Sequence, residues 1–289
     1  MKFENDIIRH VENENIEYIQ FKRLLKYPNI NHAYIFKTHN MNFRVKTDFS
    51  QIEQTKRNLK IMCDNCGFKY ETIIRPDYWH TTNVSIVDNV DISKEIPEIS
   101  AERFPKTDGL VTNKNDITIM STNADCLLVL LYDPIKNVIG NVHCGWKGSF
   151  GKIILNAIDK MKSGYGCNPK DIEAYFSPCI RKCHFEVDED VMHQCKEIFN
   201  YTGKINEIIE VGDIKDEKQK YLIDNVLINK ILLLEAGLKE ENIVDCGICS
   251  ICEKDKIHSR RAEGLDFGLG ALFITKTNWK WWISMISYS

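Results

Sequence analysis

The sequence predicts an α+β fold: mixed sheets with flanking helices in one large domain. Three observations carry this expectation. Strand-like and helix-like segments are interspersed without a regular βαβ rhythm. Two apolar runs on either side of Asp133-Pro134 read as a β-hairpin. After Gly148 the pattern turns helical, with Ile153, Ile154, Ala157, Ile158 and Met161 on one stripe.

Taken in order, residues 1–62 read as short strands with a helix near Gln51 to Met62. A loop is expected around Cys63 to Gly67 and a strand near Tyr70 to Arg75. Tyr78 to Val87 leads into a polar connection containing Pro97 and Pro105. Gly109 to Thr112 and Ile117 to Ser121 are short strands ahead of the hairpin, and Gly164 is the expected stop of the helix that follows it. Ile172 to Phe176 reads as a strand, and Asp188 to Phe199 as a helix. Asp224 to Ala236 is a further helix, ending at Gly237. Ile243 to Cys246 and Gly270 to Thr275 are the late strands.

Composition removes several function classes. A chain of 289 residues, 43% apolar and 27% charged, is long enough and ordinary enough for a packed globular core. The net charge of −3 offers no basic face, so no nucleic-acid partner is expected. No apolar run reaches the length of a membrane span, and the polar start, Met-Lys-Phe-Glu-Asn-Asp, does not read as a signal peptide. Eleven cysteines are an odd number, which fits thiols in a reducing cytoplasm better than a complete disulfide framework.

The hairpin carries the first chemical signal. With a loop from Asp133 to Lys136, Tyr132 pairs with Asn137, and counting back sets Cys126 opposite His143. Opposite residues of an antiparallel pair share a face, with Cβ atoms roughly 4.5–5.5 Å apart. A thiol and an imidazole side by side suit a metal ion or a Cys-His catalytic pair, and equally a buried thiol beside a hydrogen-bonded core histidine. Other cysteines compete. Cys63-x2-Cys66 and Cys246-x2-Cys249-x2-Cys252 have spacings that zinc or an iron–sulfur cluster can use. They lie far apart without a second close pair, so they are read as ordinary thiols outside the active centre. Cys179 and Cys183 flank a loop and could be joined by a reversible disulfide.

An ordered series of phrases then identifies a family. Thr107-Asp108-Gly109-Leu110-Val111-Thr112-Asn113, Asn123-Ala124-Asp125-Cys126, Val142-His143-Cys144-Gly145-Trp146-Lys147-Gly148 and Ser177-Pro178-Cys179-Ile180 follow one another. Phe185-Glu186-Val187, Asp224 with Asn229, Cys249-Ser250 and His258-Ser259 through Gly264 complete it. The chain resembles the zinc-dependent purine nucleoside phosphorylases of the YfiH type, long labelled polyphenol oxidases or laccase-domain proteins. The resemblance runs from about Asn42 to Ile274. It implies a domain over residues 1–275 and leaves 276–289 as a tail of unknown role, with Trp279, Trp281 and Trp282.

The resemblance implies metal ligands at His80, Cys126 and His143, the last two being those the hairpin brings together. A His2Cys set with one open position is the pattern of a catalytic zinc site, where the metal lowers a bound water's pKa toward ~7 or polarises an oxygen. It further implies phosphorolysis of adenosine, inosine and methylthioadenosine, with adenosine deamination at the same site. The partners are then purine nucleosides and phosphate, in a cytoplasmic monomer or homodimer. Arg57, Lys147, Arg260 and Arg261 are candidate phosphate or ribose contacts, or else solvated surface cations. Asp108 and Glu186 are candidate acids, or else loop-capping carboxylates, and Asp125, pointing away from Cys126 by strand alternation, is expected to play a structural part.

The sequence departs from the family pattern where anions would bind. Trp79 precedes His80 in place of Val, Cys144 replaces Ala, and Lys147 stands where Arg is usual. The Arg-rich phrase is compressed to Arg260-Arg261-Ala262, and Leu269 replaces an Arg. Lys keeps the charge but loses the bidentate fork for phosphate. Two other classes remain open. Copper with a polyphenol oxidase activity shares the ligand types, although eight histidines without His-x-His pairs are a poor basis for several coppers. A metal-free hydrolase would use Cys126 as nucleophile and His143 as base, leaving His80 idle.

Overall fold

In the computed structural model the described residues are 2–44, 49–88 and 104–277, with no side chains described for 49–51. Two six-stranded sheets are stacked face to face and a helical layer covers the outer side of each. The first sheet runs, in spatial order, β1 (Ile8–Glu12), β2 (Glu17–Phe21), β3 (Ile30–Ile35), β15 (Gly270–Lys276), β7 (Thr118–Asn123) and β4 (Ile73–Ile74). The second runs β14 (Ile243–Asp245), β10 (Glu173–Phe176), β8 (Leu127–Asp133), β9 (Val138–Cys144), β6 (Gly109–Thr112) and β5 (Val84–Ile86). A small third sheet, β11 (Glu186–Val187), β13 (Lys218–Ile223) and β12 (Ile209–Lys215), stands apart. Both large sheets mix parallel and antiparallel pairs, and the α+β expectation holds.

The layering explains why β8 and β9 are apolar on both faces. Leu128, Leu130, Tyr132 and Ile139 pack toward the first sheet, against Phe21, Tyr34, Ile119, Leu272 and Ile274. Their neighbours Val129, Leu131 and Val142 face the other way. There they meet α3 (Ile153–Tyr165) through Ile153, Ile154, Ala157, Ile158 and Met161, and α6 (Asn225–Glu235) through Ile228, Ile231 and Leu232. A strand buried on both sides has no solvent face on which to alternate polar residues. On the far side of the first sheet, α1 (Phe49–Cys66) lays Leu59, Met62, Cys63 and Cys66 on Ala33, Ile35, Met120, Ala271 and Phe273.

Most predicted elements are present, with informative differences at their ends. The first helix continues through Cys66, so Cys63 and Cys66 lie on its last turns in an apolar core, and not in a loop. Burial pushes the Cys63 thiol up to about 12, as expected of an inert thiol. The strand expected at Tyr70 to Arg75 shrinks to Ile73–Ile74 after a single 3₁₀ turn. Helix α3 stops at Gly166, whose left-handed φ of 67° closes it. Gly164 is instead a close-approach site, where an added Cβ would sit 2.6 Å from Ile86 Cδ1.

The hairpin register differs by two residues from the expected one. Asp133 pairs with Val138, Tyr132 with Ile139 and Leu128 with His143. Asn137, with φ 54°, sits in the turn and cannot continue the strand, while Asp133 Oδ1 accepts the Ile135 and Lys136 N–H groups. A slip of two preserves the face of every side chain, because the strand period is two. Cys126 and His143 therefore stay on one face, as diagonal neighbours at the mouth of the hairpin. Pro97 and the tail from residue 278, including all three of its tryptophans, lie outside the described residues.

Candidate metal centre and cleft

Three chain segments meet where β6 and β8 begin and β9 ends. His143 is near the end of β9, Cys126 immediately precedes β8, and His80 lies in the loop before β5. One donor atom from each, the two imidazoles and the thiol, lie within 4.8 Å of one another, an arrangement able to hold a metal ion. The two imidazole rings stand 5.0 Å apart at 74°. Gly145 lies between all three. A Cβ there would be 3.0 Å from His80 Cδ2, 3.1 Å from Cys126 Sγ and 3.3 Å from His143 Cε1. Only a residue without a side chain lets the three donors close up.

Asp108 sets two of the three donors. It is fully buried, just ahead of β6, and its carboxylate collects five donors. His143 Nδ1–H donates to Oδ1 at 3.0 Å, which leaves Nε2 as the lone-pair nitrogen for a metal. The backbone N–H of His80 donates to the same oxygen at 3.0 Å, and Trp79 N–H and both Thr81 donors reach Oδ2. His80 takes a left-handed φ of 56°, and these bonds hold that unfavourable conformation in place. Asp108 thus acts on a backbone and a side chain at once: it caps the 79–81 loop, as the loop-capping alternative has it, and also holds His143. Burial works against ionisation, yet the His143 and Thr81 bonds keep its carboxyl below the usual range.

Burial alone would also raise the Cys126 thiol, but His143 and His80 pull it down; His143 is driven up in turn, against its burial, by Cys126 and Asp108. The thiol is thus drawn toward thiolate, the form in which this softest of the three donors takes a metal. Asn123 fixes the Cys126 loop by donating to the Cys126 and Pro178 carbonyls. Asp125 precedes the strand with a left-handed φ of 86°, so strand alternation does not set its direction; it accepts from Ser250 Oγ at 2.6 Å and from the Arg261 backbone N–H at 2.8 Å.

The donors open onto a cleft of about 430 Å³, within the range of small-molecule sites. His80, Cys126 and Asp125 line one side; Trp146, Ile180, Phe185, Asn225, Arg260 and Arg261 complete the lining with Ala124. Of the four cations singled out in the sequence, Arg260 and Arg261 reach the cleft, on α7 (Arg260–Glu263). Arg261 also donates to the Glu186 carbonyl, while Arg260 lies over the Phe267 ring. Lys147 is exposed on α2 (Trp146–Phe150), its ammonium 5.6 Å from the Trp146 ring centre, and does not line the cleft. Arg57 is exposed on α1, bonded to Gln54, and is likewise not among the lining residues. The Glu186 carboxylate is paired with Lys215 at 2.6 Å. Gly145, Trp146 and Asn225 were missed as site residues, although the first two lie within a phrase the sequence had already flagged.

Comparison with known proteins agrees with this architecture. The family model described as multi-copper polyphenol oxidoreductase laccase matches residues 31–277. A purine nucleoside phosphorylase of Clostridium acetobutylicum is 27% identical over 266 residues, covering 91% of this chain and 99% of its own. An adenosine deaminase, RL5, from an unknown prokaryotic organism is 28% identical over 203 residues, 70% of this chain and 74% of its own. The crystal structure of the Bacillus licheniformis hypothetical protein YfiH superposes with a TM-score of 0.82 over 94% of this chain and 100% of that one, at 22% identity. With the match spanning all but the first strands and the tail, and with relatives and fold neighbours of the YfiH and YlmD type, the chain belongs to this laccase-described family.

Proposed function

We propose that the protein is a zinc-dependent purine nucleoside phosphorylase acting on adenosine, inosine and methylthioadenosine, with adenosine deamination at the same cleft. The observation that carries this reading is the convergence of His80, Cys126 and His143 beside a cleft lined by Trp146, Phe185 and two arginines. One thiolate and two imidazoles are borderline-soft donors that suit zinc, and three protein donors leave an open position. When bound there, zinc supplies Lewis acidity toward an oxygen of phosphate or water.

The chain's own residues do the rest. Trp146 and Phe185 give the flat apolar surface on which a purine ring stacks. Arg260 and Arg261 place positive charge at the cleft for phosphate, with the bidentate geometry that Lys147 lacks. Asp108 holds His143 and the His80 backbone in position without exchanging protons itself, since both its oxygens are fully engaged. The relatives' names, phosphorylase and deaminase, both fit this cleft.

Copper oxidation of phenols is the weaker reading, despite the family's description. Among the described residues only His80 and His143 share a site. His10 is bonded to Glu17, His32 to the Phe21 N–H, His258 to Glu263, and His184 stands among cysteines. Incubating adenosine with and without phosphate decides the matter. Adenine and ribose 1-phosphate should form only with phosphate, and inosine would mark deamination. Cys126→Ala should abolish both, because two neutral imidazoles hold zinc weakly. Full turnover by metal-free Cys126→Ala, or phenol oxidation by a copper-loaded protein inert toward nucleosides, would overturn the reading.

A further inference from the structure

A second cluster of donors stands outside the cleft. Cys183, His184, Cys249 and Cys252 offer three thiols and an imidazole nitrogen, all within 4.8 Å of one another. Cys183 Sγ is 3.7 Å from Cys249 Sγ, and His184 Nδ1 is 3.2, 3.6 and 3.7 Å from the sulfurs of Cys183, Cys249 and Cys252. Zinc bonds of ~2.3 Å to sulfur and ~2.05 Å to nitrogen, at tetrahedral angles, imply edges of about 3.8 Å between sulfurs and about 3.6 Å from sulfur to nitrogen. Three of these four edges match a tetrahedron around a single ion, the 3.2 Å edge from His184 to Cys183 is shorter, and the two sulfur–sulfur edges to Cys252 lie within 4.8 Å. An iron–sulfur cluster interposes several iron and sulfide atoms between its ligands, and these donors are too close for that.

The backbone is arranged in the same sense. Cys249-x2-Cys252 closes a tight turn in which the Glu253 N–H donates to the Cys249 carbonyl at 3.0 Å. The two loops are aligned by the bridge between Cys179 and Cys249, by Ser250 N–H donating to the Cys179 carbonyl, and by the paired bonds of Arg181 to Asp245. Cys179 and Cys183, which the sequence left open as a reversible disulfide, are both free thiols: Cys179 is buried, and Cys183 joins the other cluster.

We propose that Cys183, His184, Cys249 and Cys252 bind a structural zinc ion, closed by four protein ligands and distinct from the open centre in the cleft. It staples the loop after β10 to the loop after β14. The first of these carries Ile180 and Phe185, which line the cleft, and the second carries Ser250, which holds Asp125 next to Cys126. The closed site therefore fixes one wall of the cleft while taking no part in its chemistry.

The test is metal analysis of the full chain purified under reducing conditions without added metal, for the parent protein, Cys126→Ala, Cys183→Ser/Cys252→Ser and the triple variant. Cys183 and Cys252 are exposed, so their replacement leaves the core intact. Cys126→Ala should keep about one zinc per chain, the Cys183→Ser/Cys252→Ser change should remove about one equivalent from either background, and thermal unfolding should shift down with that loss. Cobalt loaded into Cys126→Ala should show thiolate-to-cobalt charge-transfer absorption that the triple variant lacks. A parent protein that loses its only zinc on Cys183→Ser/Cys252→Ser would sustain this proposal and count against the cleft zinc. Zinc content unchanged by Cys183→Ser/Cys252→Ser, iron in place of zinc, or a Cys183–Cys249 disulfide found by alkylation and mass spectrometry would overturn it.

Discussion

Replacing Asp108 by asparagine changes one atom and should dismantle the cleft centre. The carboxylate accepts from His80 N–H and His143 Nδ1–H on one oxygen, and from Trp79 N–H and both Thr81 donors on the other. An amide offers a single acceptor, so whichever oxygen it replaces, at least two donors lose their partner. Buried donors left unpaired cost roughly 1–3 kcal/mol each, which puts the destabilisation at about 2–6 kcal/mol. The orientation with the amide nitrogen toward His143 is the more damaging for function. It would donate to Nδ1 and force the imidazole proton onto Nε2, the atom needed for the metal. Loss of such an orienting partner typically lowers metal affinity ~10–100-fold. The assay is zinc retention against a graded series of chelators, with nucleoside turnover and thermal unfolding measured on the same samples. An Asp108→Asn protein with parental zinc retention and parental melting temperature would refute the reasoning.

Further outcomes follow from other contacts. Gly145→Ala places a methyl group 3.0–3.3 Å from the side chains of all three donor residues, so turnover and zinc retention should fall together; Gly203→Ala, where nothing lies within 4 Å but φ is 67°, should cost some stability and spare both. Arg260→Ala or Arg261→Ala should raise the phosphate KM with little change in melting temperature, whereas Lys147→Ala should leave phosphate KM near the parental value, since Lys147 does not line the cleft. His32 is wholly buried, its Nε2 accepting the Phe21 N–H, and burial lowers it to about 3. Its folded pKa lies below the unfolded value near 6.5, so the unfolded chain binds the extra proton. Its contribution is complete above about 6.5 and lost as pH falls toward 3, at up to ~1.4 kcal/mol per unit. His32→Gln should flatten the melting temperature against pH in that window, and an unchanged slope would dismiss the histidine as its cause.

Much of this was legible because strand parity is robust. The apolar runs around Asp133-Pro134 gave the hairpin, and a register wrong by two still put Cys126 and His143 on one face. His80 was found only through the family resemblance. A loop histidine at φ 56° has no periodicity to betray it, and the carboxylate that anchors it is 28 residues away. The third sheet went unseen for a different reason. Strand β12 is largely exposed, with Val211 at 68% and Ile214 at 70%, so it carries no buried alternation to read. The Cys249-x2-Cys252 pair looked incomplete because its other half, Cys183-His184, is about 65 residues earlier and meets it only across the parallel pairing of β10 with β14.

The two donor clusters show a division of labour between strands and loops. The open centre rests on strand ends: His143 near the end of β9, Cys126 at the start of β8 and Asp108 at the start of β6, where the Asp108 carbonyl also accepts the His143 N–H at 2.7 Å. Strands packed between two layers move little, so donor geometry is set by the core and tolerates change in the surrounding loops. The cleft wall has no such support. Ile180, Phe185, Arg260 and Arg261 sit on loops and a single helical turn, where the compressed arginine phrase and Leu269 also fall. Loops of this kind need a fastening of their own, and Asp125 supplies part of one by tying Ser250 and the Arg261 backbone to the Cys126 segment. Cys183, His184, Cys249 and Cys252 supply the rest. The core thus sets the donors at the strand ends, and fastened loops set the cleft wall that faces them.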